Sequence, residues 1–216
     1  MAHYSQEKFV SICSKYLKSN IKNFDNLDTL DVGSLDLCQT NNRKYFGNKY
    51  LGIDLAEGPN VDKILNGADI HLLNKKFNII LSCEVFEHAE NWSNIFKSMI
   101  MNSDEKGIVL FTCASTGRIE HGTLRTNPGE SPGTNSNYYK NLTKKDFINK
   151  FDLDKYFEKY FFFYNYYSLD LFFIGIKNLK YVSFDFEAFR QEVTNIKSDI
   201  KVIFYKRLFY SHIMSD

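Results

Sequence analysis

This 216-residue sequence predicts an α/β fold built on a mostly parallel sheet, and three observations carry that prediction. The segments Phe77–Cys83 (FNIILSC) and Gly107–Cys113 (GIVLFTC) are nearly unbroken apolar runs. Strands covered on both faces read this way, whereas half-exposed strands alternate apolar and polar residues. Between them, Trp92, Ile95, Phe96, Met99 and Ile100 recur at helical spacing and define one apolar helix face. Strand, helix and strand in this order join through a right-handed crossover into a parallel sheet.

The remaining elements fit around that unit. Phe9, Ile12, Tyr16 and Leu17 place an amphipathic helix in residues 4–19. Thr29–Val32 reads as a buried strand turning at Gly33-Ser34, and Lys49–Leu55 as a second strand followed by the turn Glu57-Gly58-Pro59-Asn60. Lys63–Leu65 predicts a short third strand. Residues 114–137, rich in Gly, Ser, Thr, Asn and Pro, form a loop long enough to be a lid or a binding loop. Thr143, with Asp146 three residues on, caps a helix running to Phe151. Tyr160–Tyr167 and Leu171–Lys177, split by Ser168-Leu169-Asp170, predict an edge hairpin. Phe186, Phe189, Val193 and Ile196 suggest a final helix, while the periodicity of Ile200–Tyr210 is ambiguous. The chain reads as one domain, 1–216: a helical extension (1–27), a sheet (28–177) and a C-terminal helical extension (178–216). That last segment is expected to cover the sheet edge or to form a homodimer contact.

Composition excludes several classes. With 27 Lys+Arg against 26 Asp+Glu the chain is nearly neutral, unlike a general polyanion binder. Five of the basic residues are Arg (43, 118, 125, 190 and 207), so the preferred phosphate fork is scarce. The aromatic run 160–167 lacks interleaved basic residues and reads as packing rather than base stacking. No segment has the length and apolarity of a membrane span, and the N-terminus lacks a signal-peptide core. Cys13, Cys38, Cys83 and Cys113 form no C-x-x-C pair, which predicts reduced thiols, a cytoplasmic location and no metal.

In doubly wound sheets, ligands bind beyond the carboxyl ends of the strands, where strand order reverses. After the first strand stands Asp31-Val32-Gly33-Ser34, and the second ends in Asp54, 23 residues further on. A carboxylate at that spacing suits the two ribose hydroxyls of a nucleoside. Leu35 and Asp36 follow where a dinucleotide-binding chain would place further glycines, so no pyrophosphate cradle exists. A nucleoside ligand without phosphates is favoured.

At these residues the sequence resembles the class I S-adenosylmethionine-dependent methyltransferases, in particular the methyltransferase-domain or type-11-like group. The resemblance spans about residues 28–177 and rests on Leu30–Ser34, Tyr50–Leu55 and the block Phe77–His88 (FNIILSCEVFEH). It implies a Rossmann-like, doubly wound sheet of seven strands with an antiparallel C-terminal hairpin, and S-adenosyl-L-methionine as cofactor. Carried over by position, Asp31, Gly33 and Ser34 would frame the methionine part, and Asp54 and Leu55 the ribose. Asp69 and Ile70 would lie near the adenine, while Cys83 and Glu84 would line the sulfonium side. Leu35 departs from the D-x-G-x-G pattern.

Methyl transfer is an in-line displacement that needs alignment and a base for the acceptor proton. Histidine suits that task near neutral pH, and the candidates are His121 in the long loop and His88, with Glu84 beside them. Arg118, Tyr138 and Tyr139 would contact the substrate. Ser82-Cys83-Glu84-Val85 lacks the N/D/S-P-P-aromatic tetrapeptide of nucleic-acid amine methylases and the Pro-Cys pair of cytosine-carbon methylases. These absences disfavour nucleic acid as partner, and no membrane partner is expected; resemblance to bacterial enzymes of glycan and secondary metabolism implies a small or saccharide-like acceptor methylated at oxygen. Two other readings stand beside it: a non-catalytic scaffold on the same fold, and a nicotinamide-dependent oxidoreductase.

Overall fold

The computed structural model describes residues 4–39 and 41–196. Seven strands form one sheet: β1 (Asp28–Val32), β2 (Lys49–Asp54), β3 (Lys63–Ile64), β4 (Phe77–Cys83), β5 (Ser103–Ala114), β6 (Lys159–Asn165) and β7 (Asp170–Ile176). Their spatial order is β3-β2-β1-β4-β5-β7-β6. Six strands run the same way, and β7 alone runs against its neighbours β5 and β6. The order reverses between β1 and β4, which opens a crevice beyond their carboxyl ends.

Alternation along the strands assigns each side chain to a face. Ile80, Val109, Phe111 and Phe173 pack under α2 (Trp92–Asn102) and α3 (Lys144–Lys150). Phe111 stacks between Phe147 and Phe173, with ring centroids 4.6 and 4.9 Å away. On the other face, Ile79, Leu81, Leu110 and Phe172 meet α1 (Tyr4–Asn20) and α4 (Phe186–Thr194). The two terminal helices thus roof one side of the sheet, because the β1–β2 connection contributes only a short 3-10 turn, Asn42–Tyr45. The segment after Lys177 covers a sheet face through α4, which starts on a capping Asp185 carboxylate. Residues 200–210 lie outside the described part of the chain.

The strands depart from the sequence expectation at their ends. β5 begins at Ser103, ahead of the apolar run, because the register with β4 slips between Phe77 and Ile79 and accommodates a polar, partly exposed segment. β6 stops at Asn165, and Tyr166 and Tyr167 are exposed in the turn rather than in the strand. Asn165 sets this turn: its side-chain oxygen accepts from Tyr167 N at 3.0 Å and Ser168 N at 3.2 Å, and Leu169 takes φ +60°. α3 carries the expected capping box, with Thr143 and Asp146 satisfying each other's backbone. No helix among the described residues is long and apolar enough to cross a membrane.

Candidate active site

A cavity of about 340 Å³ lies beyond the carboxyl ends of β1, β2 and β4, at the reversal of strand order. Its floor is the turn after β1. Gly33 adopts φ +81°, and a Cβ there would sit 2.0 Å from Val85 Cγ2, so only glycine lets this turn pass the turn after β4. Leu35 does not disrupt the turn. Its amide donates to Asp54 Oδ2 at 3.0 Å, and its side chain packs onto Gly58, where a Cβ would lie 2.4 Å from Leu35 Cδ1. Asp54 also accepts from Ala56 N at 3.2 Å, so one carboxylate organises the ends of both β1 and β2. The loop residues Glu130–Thr134 and Ser136 wall the opposite side, with Gly133 pressed against Leu55.

The electrostatics of this cavity are one-sided. Asp31, Asp36, Asp54, Glu84, Glu90 and Glu130 line it, and among the described residues no Lys or Arg does. Asp31 is buried at the end of β1. Its Oδ2 accepts from Tyr50 Oη at 2.5 Å and Asn42 Nδ2 at 3.4 Å, while Oδ1 has no hydrogen-bond partner among the described residues. Burial pushes its pKa up to about 6. Burial likewise raises the Asp54 carboxyl above the ordinary range. It holds the Cys83 thiol far above its usual pKa, so Cys83 is a wall and not a thiolate nucleophile.

A second group of polar side chains sits behind this wall. Glu87 and His88 occupy the 3-10 turn Phe86–His88 after β4, and His121 and Tyr139 reach in from either end of the long loop. The rings of His88 and His121 lie 4.9 Å apart edge to face, and Tyr139 lies 5.5 and 5.1 Å from them. Burial lowers both histidines to about 4, so both rings are neutral at pH 7. His121 Nδ1 lies 3.0 Å from the Ile119 carbonyl, which assigns the proton to that nitrogen and leaves a lone pair on Nε2. His88 also borders the cavity, so this corner and the cavity share a wall.

No protein-family model matches the sequence, and no curated protein matches it. Solved structures do match the fold. The plantazolicin methyltransferase BpumL, in complex with a triazolic desmethylPZN analog and S-adenosylhomocysteine, superposes with TM-score 0.56 at 15% identity, over 80% of this chain and 85% of that one. The magnesium protoporphyrin IX methyltransferase ChlM from Synechocystis PCC 6803, with bound S-adenosylmethionine, gives 0.52 at 11% identity over 81% and 80%. The CurJ carbon methyltransferase gives 0.53 at 11% identity over 78% of this chain and 54% of that one. The fold is that of the class I S-adenosylmethionine-dependent methyltransferases.

On this methyltransferase fold, the residues expected from sequence separate into three groups. Asp31, Gly33, Ser34, Asp54, Leu55, Cys83 and Glu84 all line the cavity, as does His88. Asp69 and Ile70 do not: the cavity ends at Asn66 and Gly67, and Ile70 is packed in the core. Cys113, near the end of β5, is a core residue. Arg118, Tyr138, Tyr139 and His121 also lie off the cavity lining. Arg118 is committed elsewhere. It donates to Asp170 Oδ1 at 2.8 Å and Ser168 O at 2.6 Å, and stands 3.7 Å from Glu84 Oε2. Although burial opposes its charge, Glu84, Asp170 and Glu87 hold its pKa above the usual arginine value. Glu84 takes φ +56° at the end of β4, and its Oε1 accepts from Thr112 Oγ1 at 3.2 Å. A non-glycine residue held in that region concentrates strain where the cavity meets the ion cluster. Sequence reasoning passed over Asn42, Asn66, Gly67 and the loop residues Glu130–Thr134, which contribute to the cavity.

Proposed function

We propose that this protein is an S-adenosylmethionine-dependent methyltransferase acting on a hydroxyl of a small or saccharide-like acceptor. The observation that carries the reading is the cavity at the β1/β4 reversal, lined by six carboxylates and, among the described residues, by no Lys or Arg. S-adenosylmethionine, when bound, supplies a methyl group on a cationic sulfonium, and it also carries an ammonium. An acidic, phosphate-free pocket suits that ligand, whereas the diphosphate of a nicotinamide dinucleotide would meet six carboxylates without a counter-charge. Asp54, at the end of β2, would hold the ribose hydroxyls. Asp31, whose Oδ1 has no hydrogen-bond partner among the described residues, would face the ammonium. Asn66 and Gly67 would border the base.

The acceptor would enter beside the loop, where Ser131, Thr134 and Ser136 offer hydroxyls suited to a polyol. Its proton would leave toward the corner of His88 and His121, whose neutral rings retain lone pairs. Their low basicity makes them weak proton acceptors by themselves. Matching BpumL and ChlM folds with S-adenosylhomocysteine or S-adenosylmethionine bound support the cofactor, and a cytoplasmic location agrees with four free thiols.

Calorimetric titration with S-adenosylhomocysteine tests the reading directly, and micromolar binding is expected. A folded protein that binds neither this ligand nor S-adenosylmethionine would instead be a scaffold on the same fold. The affinity should also depend on pH in a defined direction. Asp31 is neutral below about 6 and charged above it. The ligand ammonium is stabilised only by the charged form, so affinity should rise roughly tenfold between about pH 5 and about pH 7. Asp31→Asn should flatten that dependence. A wild-type profile that is already flat removes Asp31 from the ammonium site.

A further inference from the structure

The corner behind the cavity wall holds more unsatisfied polar atoms than a packed interior tolerates. Both oxygens of Glu87, both ring nitrogens of His88, Nε2 of His121 and the hydroxyl of Tyr139 are buried and have no hydrogen-bond partner among the described residues. Glu87 is wholly buried. Buried polar groups are paired in nearly all folded proteins, and a buried carboxyl group without a hydrogen bond is costly. The Arg118 guanidinium is the nearby positive charge, yet neither Glu87 oxygen has a hydrogen-bond partner among the described residues.

We propose that Glu87, His88 and His121 bind a divalent transition-metal ion of the zinc class. Their donor atoms already lie within 4.8 Å of one another. Ligands at ~2.0–2.1 Å from a tetrahedral ion stand roughly 3.3 Å apart, so modest side-chain rotation closes the shell. Two imidazoles and one carboxylate are a donor set matched to Zn²⁺, Fe²⁺ and Co²⁺, and not to Mg²⁺ or Ca²⁺, which prefer all-oxygen shells. His121 shows the outer contact that ligating histidines have. Its Nδ1–H donates to the Ile119 carbonyl, which fixes the ring and directs the Nε2 lone pair inward. The backbone around the site is also tied down. The Glu87 carbonyl accepts from Lys140 N at 2.9 Å, and Asn141 Nδ2 donates to the Arg118 carbonyl at 2.8 Å, so the two ends of the loop are held against the turn after β4.

Three protein ligands leave a coordination position open. Tyr139 packs against both imidazoles and His88 borders the cavity, so an oxygen of the acceptor could complete the shell from that side. This last step rests on the methyltransferase reading. It would give the site the acidity that its histidines lack, since an ion-bound oxygen yields its proton to solvent more readily.

The test uses the full chain stripped with a chelator and titrated with Co²⁺, without cofactor or acceptor. One equivalent should bind, with the visible bands of a four- or five-coordinate ion, and Zn²⁺ should displace it. X-ray absorption on the loaded wild-type protein should show two imidazole ligands. His121→Ala and Glu87→Gln should each weaken binding by at least about 100-fold, since losing even an outer-shell partner costs 10- to 100-fold. Circular dichroism checks that both variants fold. Absence of a 1:1 Co²⁺ complex, a spectrum without histidine ligation, or folded variants that bind as the wild type does would each overturn the proposal. Titration of the stripped protein with S-adenosylhomocysteine reads the methyltransferase assignment separately, so failure of one is distinguishable from failure of the other.

Discussion

Asp54→Ala is expected to weaken S-adenosylhomocysteine binding by about 100-fold or more, effectively abolishing it in a calorimetric titration. The carboxylate sits at the end of β2 on the cavity wall, and two of its acceptor sites serve the protein itself, through Leu35 N and Ala56 N. Asp54 also lines the cavity, where the ribose hydroxyls would donate to it. Hydrogen bonds to a charged group contribute ~1.5–3 kcal/mol each, so losing two corresponds to a factor of about 100 or more. Alanine also releases the turn containing Leu35, and an affinity loss alone would not separate the two effects. Asp54→Asn does separate them. The amide keeps one acceptor oxygen, so it can hold one of the two turns while removing the charge and half of the ribose contact. An intermediate loss with an unchanged melting temperature assigns the effect to the ligand. Binding by Asp54→Ala within threefold of the wild type would remove Asp54 from the site and with it the expected placement of the nucleoside.

What was legible in the sequence follows from the range of the interactions involved. Phe77–Cys83 and Gly107–Cys113 read as central strands because burial on both faces imposes a continuous apolar run. The spacing of Trp92 to Ile100 and the pair Thr143/Asp146 are local signals, and they located α2 and α3. Asp31, Gly33 and Asp54 were legible because the end of a strand adjacent to a turn can be read from its own residues. Asn42 was not, since its contact with Asp31 depends on how the β1–β2 connection folds back. The same holds for Glu130–Thr134, which meet Leu55 only through the path of a long loop. Arg118 reads from sequence as a substrate contact because it stands in a long polar loop. Its partners Glu84 and Asp170 are 34 residues before and 52 residues after it, and nothing local announces either. Glu87 carries no role of its own in the sequence reading of the E-V-x-E-H block, because a charged residue in a turn is ordinarily exposed, whereas here it is wholly buried.

Arg118→Met should destabilise the protein by about 3–5 kcal/mol, the usual consequence of removing one partner from a buried ion cluster. Arg118 is 10% exposed, Asp170 is fully buried and Glu84 is 2% exposed, so the two carboxylates cannot recover solvation when the guanidinium goes. Methionine retains much of the side chain's length and apolar stem, which confines the loss to charge and hydrogen bonds. For a chain of this size, the change corresponds to a fall in melting temperature of roughly 10 °C. Arg118→Lys should recover part of it, because an ammonium keeps the charge but cannot serve Asp170 and the Ser168 carbonyl with the fork that the guanidinium provides. Combining Arg118→Met with Asp170→Asn tests the cause. If uncompensated charge dominates, neutralising Asp170 restores stability relative to the single variant. If lost packing dominates, the two changes add. A single variant that melts within a few degrees of the wild type would show that Glu84 and Asp170 are held by other groups, and that the long loop does not depend on this arginine to lie across the ends of β4 and β7.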